Sequence, residues 1–183
     1  MPALTAAVDC GMTSVKFYPY LCGGSSAPHW NPDATGAFLR LRDRHGPECM
    51  ARAVVEGVSL ETRRIVEPLA ASGLGAAEVR TTGGGAMVGA WNRVLADVLG
   101  VPVAVPSHLD AAMLAAAGAG AHPSVAAASA AMARAERRID PDPDRHALYD
   151  DLYGRYRDVR EVLERHEVYS LAGRGGRTPS GGV

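Results

Sequence analysis

The sequence predicts an α/β domain, and three stretches of it carry that prediction. Glu78 to Thr82 reads as a short strand, Trp91 to Leu99 as a helix, and Val101 to Val105 as a near-continuous apolar strand ended by Pro106. Trp91, Val94, Leu95, Val98 and Leu99 fall at the i, i+3, i+4, i+7, i+8 spacing of a helix packed on a sheet. Gly83-Gly84-Gly85 turns the first strand towards the helix, and Gly100 closes the helix. Strand, glycine turn, helix, strand is a βαβ unit, which places two parallel strands under a covering helix.

The flanking segments are read in chain order. Leu4 to Val8 and Val15 to Tyr18 are short extended runs, stopped by Asp9-Cys10-Gly11 and by Pro19. Cys22 to Thr35 has the Gly, Ser, Pro and Asn content of a loop. Pro47 suits a first helical position, where a missing N–H costs nothing. From there a helical pattern puts Val54, Val58, Ile65 and Leu69 roughly on one face and ends at Gly73. After the βαβ unit, Asp110 to Ala117 and Ser124 to Ala135 favour helix, and Asp140-Pro141-Asp142-Pro143 reads as a turn. Asp144 to about Glu164 gives the last helix, with Leu148, Leu152, Tyr156, Val159 and Leu163 on its apolar side. Three stretches follow: a short N-terminal segment over 1–16, a domain over 17–166, and a flexible tail over 167–183.

Composition narrows the functional classes. The chain has 183 residues, a formal net charge of -1 and 47% hydrophobic residues, which suits one globular domain. Near-neutral charge makes no electrostatic case for a nucleic-acid partner. No apolar run is long enough to span a bilayer, so no membrane partner is expected. Cys10, Cys22 and Cys49 have neither metal-ligand spacing nor the pattern of a disulfide framework, which points to a reducing cytoplasm.

Two motifs carry chemistry. Thr81-Thr82-Gly83-Gly84-Gly85-Ala86 lies between a strand and a helix. Its glycines allow positive φ and close approach of an anionic or planar ligand; equally, they would serve a tight turn with no ligand. It is neither a Walker sequence nor a dinucleotide fingerprint. Asp9, Gly11, Thr13 and Lys16, in Asp9-Cys10-Gly11-Met12-Thr13-Ser14-Val15-Lys16, supply a carboxylate for hydrated Mg²⁺ with a hydroxyl and an amine for phosphate; a plain hairpin turn is the alternative. His29, Trp30 and Asn31 sit on the proline-rich loop. Glu56 reads either as a buried hydrogen-bonding group or as an exposed partner of Arg52. No Ser-His-Asp or Cys-His arrangement and no metal site emerges, so no catalytic residue is assigned.

Taken in order, several segments resemble one family. Phe17-Tyr18-Pro19-Tyr20-Leu21, Pro28-His29-Trp30-Asn31-Pro32, Gly36-Ala37-Phe38 and Ala51 to Val58 resemble the second lobe of FGGY carbohydrate kinases, nearest to the xylulose kinases. Thr82 to Ala86, Trp91, Leu95 to Gly100, Pro102-Val103 and Ala111 to Gly120 resemble the same lobe's adenosine-side motif and the helix after it. The resemblance runs from Phe17 to about Arg160. There are departures: the family's Gly-Glu-Arg is replaced by Cys22-Gly23-Gly24-Ser25-Ser26, Arg40 stands where the second signature has glycine, and the chain is short between Pro106 and Ala111.

The resemblance implies the actin-like, ribonuclease-H-like ATPase fold, second lobe only. It implies ATP with Mg²⁺ as cofactor and xylulose, or a related ketose or polyol, as acceptor. Gly83, Gly84, Gly85 and Ala86 would then face the ATP phosphates and ribose, and the helix bearing Asn92 would flank the adenine. The aspartate base of such kinases lies in the first lobe, so the lobe by itself is expected to be inactive. Asp9 to Lys16 fits either the phosphate motif that opens a first lobe or the second lobe's own edge. A non-catalytic nucleotide-binding or oligomerising module, such as a homodimer, and a gene remnant are the competing expectations.

Overall fold

The computed structural model describes residues 15–22, 24, 25, 30–106, 110–132, 135–166 and 168. The expected strand over Leu4 to Val8 and, apart from Val168, the tail over 167–183 lie outside the described residues. The chain divides into two compact units, Met1–Leu74 with Leu148–Val183, and Gly75–Ala147.

In the first unit, β1 (Lys16–Tyr18) pairs antiparallel with β2 (Ala37–Leu39), with Phe17 opposite Phe38. Helix α1 (Pro47–Ala71) starts with Pro47 in its first turn and Glu48 at its positive end. It stops as the glycine predicts: Gly73 has φ +81°, its N–H reaches Ala70 O, and the Leu74 N–H returns to Leu69 O, a Schellman cap. The sequence misplaces the buried face, however. Ile65 and Leu69 are exposed, while Ala53, Glu56, Gly57, Leu60, Glu61 and Arg64 are buried. Apolar periodicity could not find this stripe, because half of it is charged residues that bury by pairing.

Val15, Phe17 and Ala53 form the apolar core here, with Phe38, Val54 and Val58 packed on it. Cys49 is buried on α1 and disulfide-bonded, which corrects the reading of the cysteines as unbridged; Cys22 is free and exposed. The later part of α6 (Pro143–Arg165) belongs to this unit and buries Tyr149, Leu152, Tyr153, Tyr156 and Arg160. Leu148 and Val159, expected on the apolar side, are exposed. The tyrosines displace them because each buries a ring and still finds a partner for its hydroxyl. Tyr18 stacks on Tyr156 at 4.5 Å, and its hydroxyl donates to Tyr156 O at 3.2 Å.

Arg40, directly after β2, has φ +62°, the positive φ found in a non-glycine residue among the described ones. A Cβ makes that region unfavourable, by roughly 1 kcal/mol or more. This is the position where the sequence resemblance calls for glycine. Arg40→Gly is therefore expected to raise stability by about 1 kcal/mol, read as a higher thermal midpoint. An unchanged or lower midpoint would contradict the assignment of strain to this residue.

In the second unit, β3 (Val79–Arg80) runs parallel to β4 (Val103–Pro106), which pairs antiparallel with β5 (Ala135–Ile139) in the order β3-β4-β5. The predicted βαβ unit is present, with α3 (Gly89–Leu99) as its crossover helix. Leu95, Ala96, Val103 and Ile139 make the core under it, flanked by Trp91 and Leu99. Gly100 ends α3 at φ +69°, and a Cβ there would lie 2.5 Å from the His146 ring. The expected helices over Asp110 to Ala117 and Ser124 to Ala135 are α4 (Asp110–Gly118) and α5 (Val125–Met132); β5 then follows where no strand was predicted. Ala-Glu-Arg-Arg-Ile has little apolar pattern, and pairing with β4 overrides its weak local preference. Asp142 caps α6 by accepting from the Asp144 and Arg145 N–H groups, and its own N–H donates to buried Asp97 at 2.9 Å.

Candidate functional site

The glycine motif is a short helical turn, α2 (Gly83–Ala86), rather than a simple bend. Thr82 before it is extended, with φ -132° and ψ 168°, and Gly83 then takes φ +73°. That step favours a residue without a Cβ. A Cβ built on Gly83, Gly84 or Gly85 would meet nothing within 4 Å, so the three glycines do not relieve crowding inside the protein. They leave an open backbone surface at the C-terminal end of β3. In open α/β sheets, the crevice beyond the carboxyl ends of parallel strands is where ligands bind.

Asn92 is buried, at 1% exposure. Its Nδ2 donates to Ala86 O at 2.8 Å and to Val88 O at 3.3 Å. It thus ties the glycine turn to α3 from behind, and Ala86 is buried with it. Thr81 opens the motif in the sequence without being assigned a ligand contact; its Oγ1 is buried without a hydrogen-bond partner, directly before the turn. A buried hydroxyl lacking a partner costs about 1–3 kcal/mol, a cost that a polar ligand group would offset. The doubled threonine before the glycines was the available signal.

Of the other predicted residues, Asp9, Gly11, Thr13 and His29 lie outside the described residues. Trp30 is exposed. Lys16 belongs to the other unit, inside β1, with 7% exposure and no partner for Nζ. Burial pushes its pKa down to about 8; the Glu56 carboxylate counters this, and Arg40 and Arg155 add to it. Glu56 is buried, so the hydrogen-bonding alternative holds, and so does its link to Arg52, whose Nε donates at 2.6 Å. Tyr149 Oη donates to the same carboxylate oxygen at 3.2 Å. Burial raises the Glu56 pKa, against the pull of Arg52 and Tyr149. A neighbouring set joins Tyr20 and Tyr156 to Glu61 at 3.1 and 3.3 Å, with Arg160 Nε donating to Tyr20 Oη at 2.7 Å. These groups satisfy one another and offer no nucleophile–base pair.

The fold and the open glycine turn define one lobe of an actin-like ATPase fold, and the structure superimposes on sugar kinases of that class. Xylulose kinase from Rhodospirillum rubrum matches with a TM-score of 0.73 and 26% identity, over 92% of this chain and 34% of that one. The model of the FGGY family of carbohydrate kinases, C-terminal domain, matches residues 2–124, more than half of the chain, and the chain belongs to that family. Xylulose kinase from Escherichia coli (strain K12) is 41% identical over 103 residues, 55% of this chain and 21% of its own length. Gluconokinase from Bacillus licheniformis is 36% identical over 107 residues, 58% of this chain and 21% of its own. The chain therefore spans about a third or less of the length of these relatives.

Proposed function

We propose that this chain is the nucleotide-holding lobe of an ATP-dependent sugar kinase, with xylulose or a related ketose or polyol as phosphoryl acceptor. The observation that carries this is the open backbone at Gly83, Gly84 and Gly85, beside the partnerless Thr81 hydroxyl. This site fits a nucleotide: the glycines admit phosphate or ribose to the main chain, and Thr81 offers a polar contact. The role of Asn92 in it is to fix the turn, since its amide hydrogens are spent on Ala86 and Val88. Among the described residues no three His, Cys, Asp or Glu side chains gather as a metal cage. Mg²⁺ would accordingly enter on the phosphates, keeping waters, as it commonly does. When bound, ATP supplies the transferable γ-phosphoryl group.

Transfer requires the sugar hydroxyl, a base and the nucleotide held together, and positioning supplies much of the rate. The residues of this lobe supply the nucleotide side, so the 183-residue chain alone is expected to bind without turnover. A cytoplasmic setting, where ATP and small sugars meet, suits this reading; among the described residues no helix is long and apolar enough to cross a membrane.

Calorimetric titration of the purified chain with ATP–Mg²⁺ tests it. Binding is expected, and Gly84→Val should weaken it about tenfold or more without lowering the thermal midpoint, because a side chain there meets only open space. Absence of binding by the wild-type chain, or equal binding by the variant, would overturn the assignment.

A further inference from the structure

Strand β5 brings a cation to the edge where the glycine turn begins. The Thr81 N–H donates to Ala104 O, so Thr81 extends the β3 row beside β4, and Arg137 pairs with Val105 on the far side of β4. The three strands thus deliver Thr81, Val105 and Arg137 to nearly one level of the sheet. Side chains alternate along a strand, so Arg137 shares a face with Ile139, which lies in the core under α3. Contact geometry agrees: a Cβ on Gly89, the first residue of α3, would lie 3.3 Å from Arg137 Nη1 and 3.5 Å from Nη2. The guanidinium therefore rests against the chain three residues beyond the turn.

Its pairing state separates it from its neighbours. Arg138, on the opposite face, is bonded to Glu78 at 2.9 Å and to Asp140 at 3.0 Å, and Arg80 lies 3.5 Å from Glu78. Arg137 is exposed and has no ion pair among the described residues. An arginine held against a backbone segment, with its fork unspent, presents paired donors suited to phosphate oxygens. No acidic side chain occupies the first turn of α3 to compete for it.

We propose that Arg137 is a phosphate-contacting residue of the nucleotide site, gripping the polyphosphate from the β5 side while the glycine turn carries the rest of the nucleotide. This rests on the reading of Gly83–Gly85 as that site. It assigns a role to a strand whose sequence pattern gave no hint of one, and it makes affinity depend on the phosphates.

The test compares ADP–Mg²⁺ and adenosine binding to the wild-type chain, Arg137→Gln and Arg137→Lys, by calorimetry at low and moderate salt. Arg137→Gln is expected to weaken ADP about tenfold and leave adenosine unchanged, with Arg137→Lys intermediate. The salt sensitivity of ADP binding should fall in Arg137→Gln. Equal ADP affinity in all three proteins overturns the role of Arg137 while leaving the nucleotide site standing. A parallel loss for adenosine also overturns it, since that would report a structural effect. Failure of the wild-type chain to bind ADP or adenosine removes the site itself, and this proposal with it.

Discussion

Gly57→Ala should destabilise the first unit by about 3 kcal/mol, because the added methyl group meets main chain rather than a movable side chain. A Cβ at Gly57 would lie 2.2 Å from Phe17 O and 3.1 Å from Phe17 Cβ. The nearest obstacle is backbone, so no rotamer change relieves it, and α1 would have to lift off β1. That movement would open the cluster of Val15, Phe17 and Ala53. Near-ultraviolet tyrosine dichroism is the natural probe, because Tyr18, Tyr20, Tyr149, Tyr153 and Tyr156 all lie in this unit. Gly84→Ala serves as the control and should cost far less, since its added methyl group meets nothing. A Gly57→Ala protein within about 1 kcal/mol of wild type would refute the packing described for α1 and β1.

Lys16→Met should stabilise the protein at neutral pH by about 2 kcal/mol, and the gain should fade as the pH rises. Burial lowers the Lys16 pKa from 10.5 to about 8, so below pH 8 the folded state holds a desolvated ammonium without a hydrogen bond. The full shift would correspond to about 3 kcal/mol, and Met recovers less than that because removing the ammonium also deprives the buried Glu56 carboxylate of its attraction. Between pH 8 and about 10 the unfolded chain binds more protons at this site than the folded one, so wild-type stability rises with pH. Above about pH 10 the sign reverses: burial raises the Tyr20 pKa to about 12 and raises those of Tyr149 and Tyr153, so the unfolded state ionises first. Denaturant melts of both proteins at pH 7, 8, 9 and 10 check this. Curves that stay parallel across that range would show that Lys16 is not the titrating group.

What the sequence disclosed and what it hid divide along physical lines. The βαβ unit was legible because Trp91 to Leu99 and Val101 to Val105 bury apolar residues at clean helical and strand spacing. Glycine punctuation at Gly73 and Gly100 was legible too, since each takes positive φ at a helix end. Hidden were the elements stabilised by partners distant in sequence. Strand β5 exists because β4 offers it a ladder, and α6 turns Tyr149 and Arg160 inward because Glu56 and Tyr20 receive them. The candidate site was half legible. The glycines announce an approachable backbone, whereas the inward duty of Asn92 and the location of Arg137 depend on contacts across 6 and 48 residues respectively (Ala86 to Asn92, Gly89 to Arg137). A pattern of residue types carries no record of such pairs.

Arg40 bears on how this chain changes over generations. Every arginine codon becomes a glycine codon by a single base change, so relief of the strained φ +62° lies one mutation away. A cost of this size is tolerated wherever a protein's stability exceeds what its role demands. Such a margin would also let exposed positions, such as Ile65 and Leu69 of α1, vary with little consequence. Arg40 thus marks a place where the chain carries a local cost in folding energy, and where a repair is always within reach.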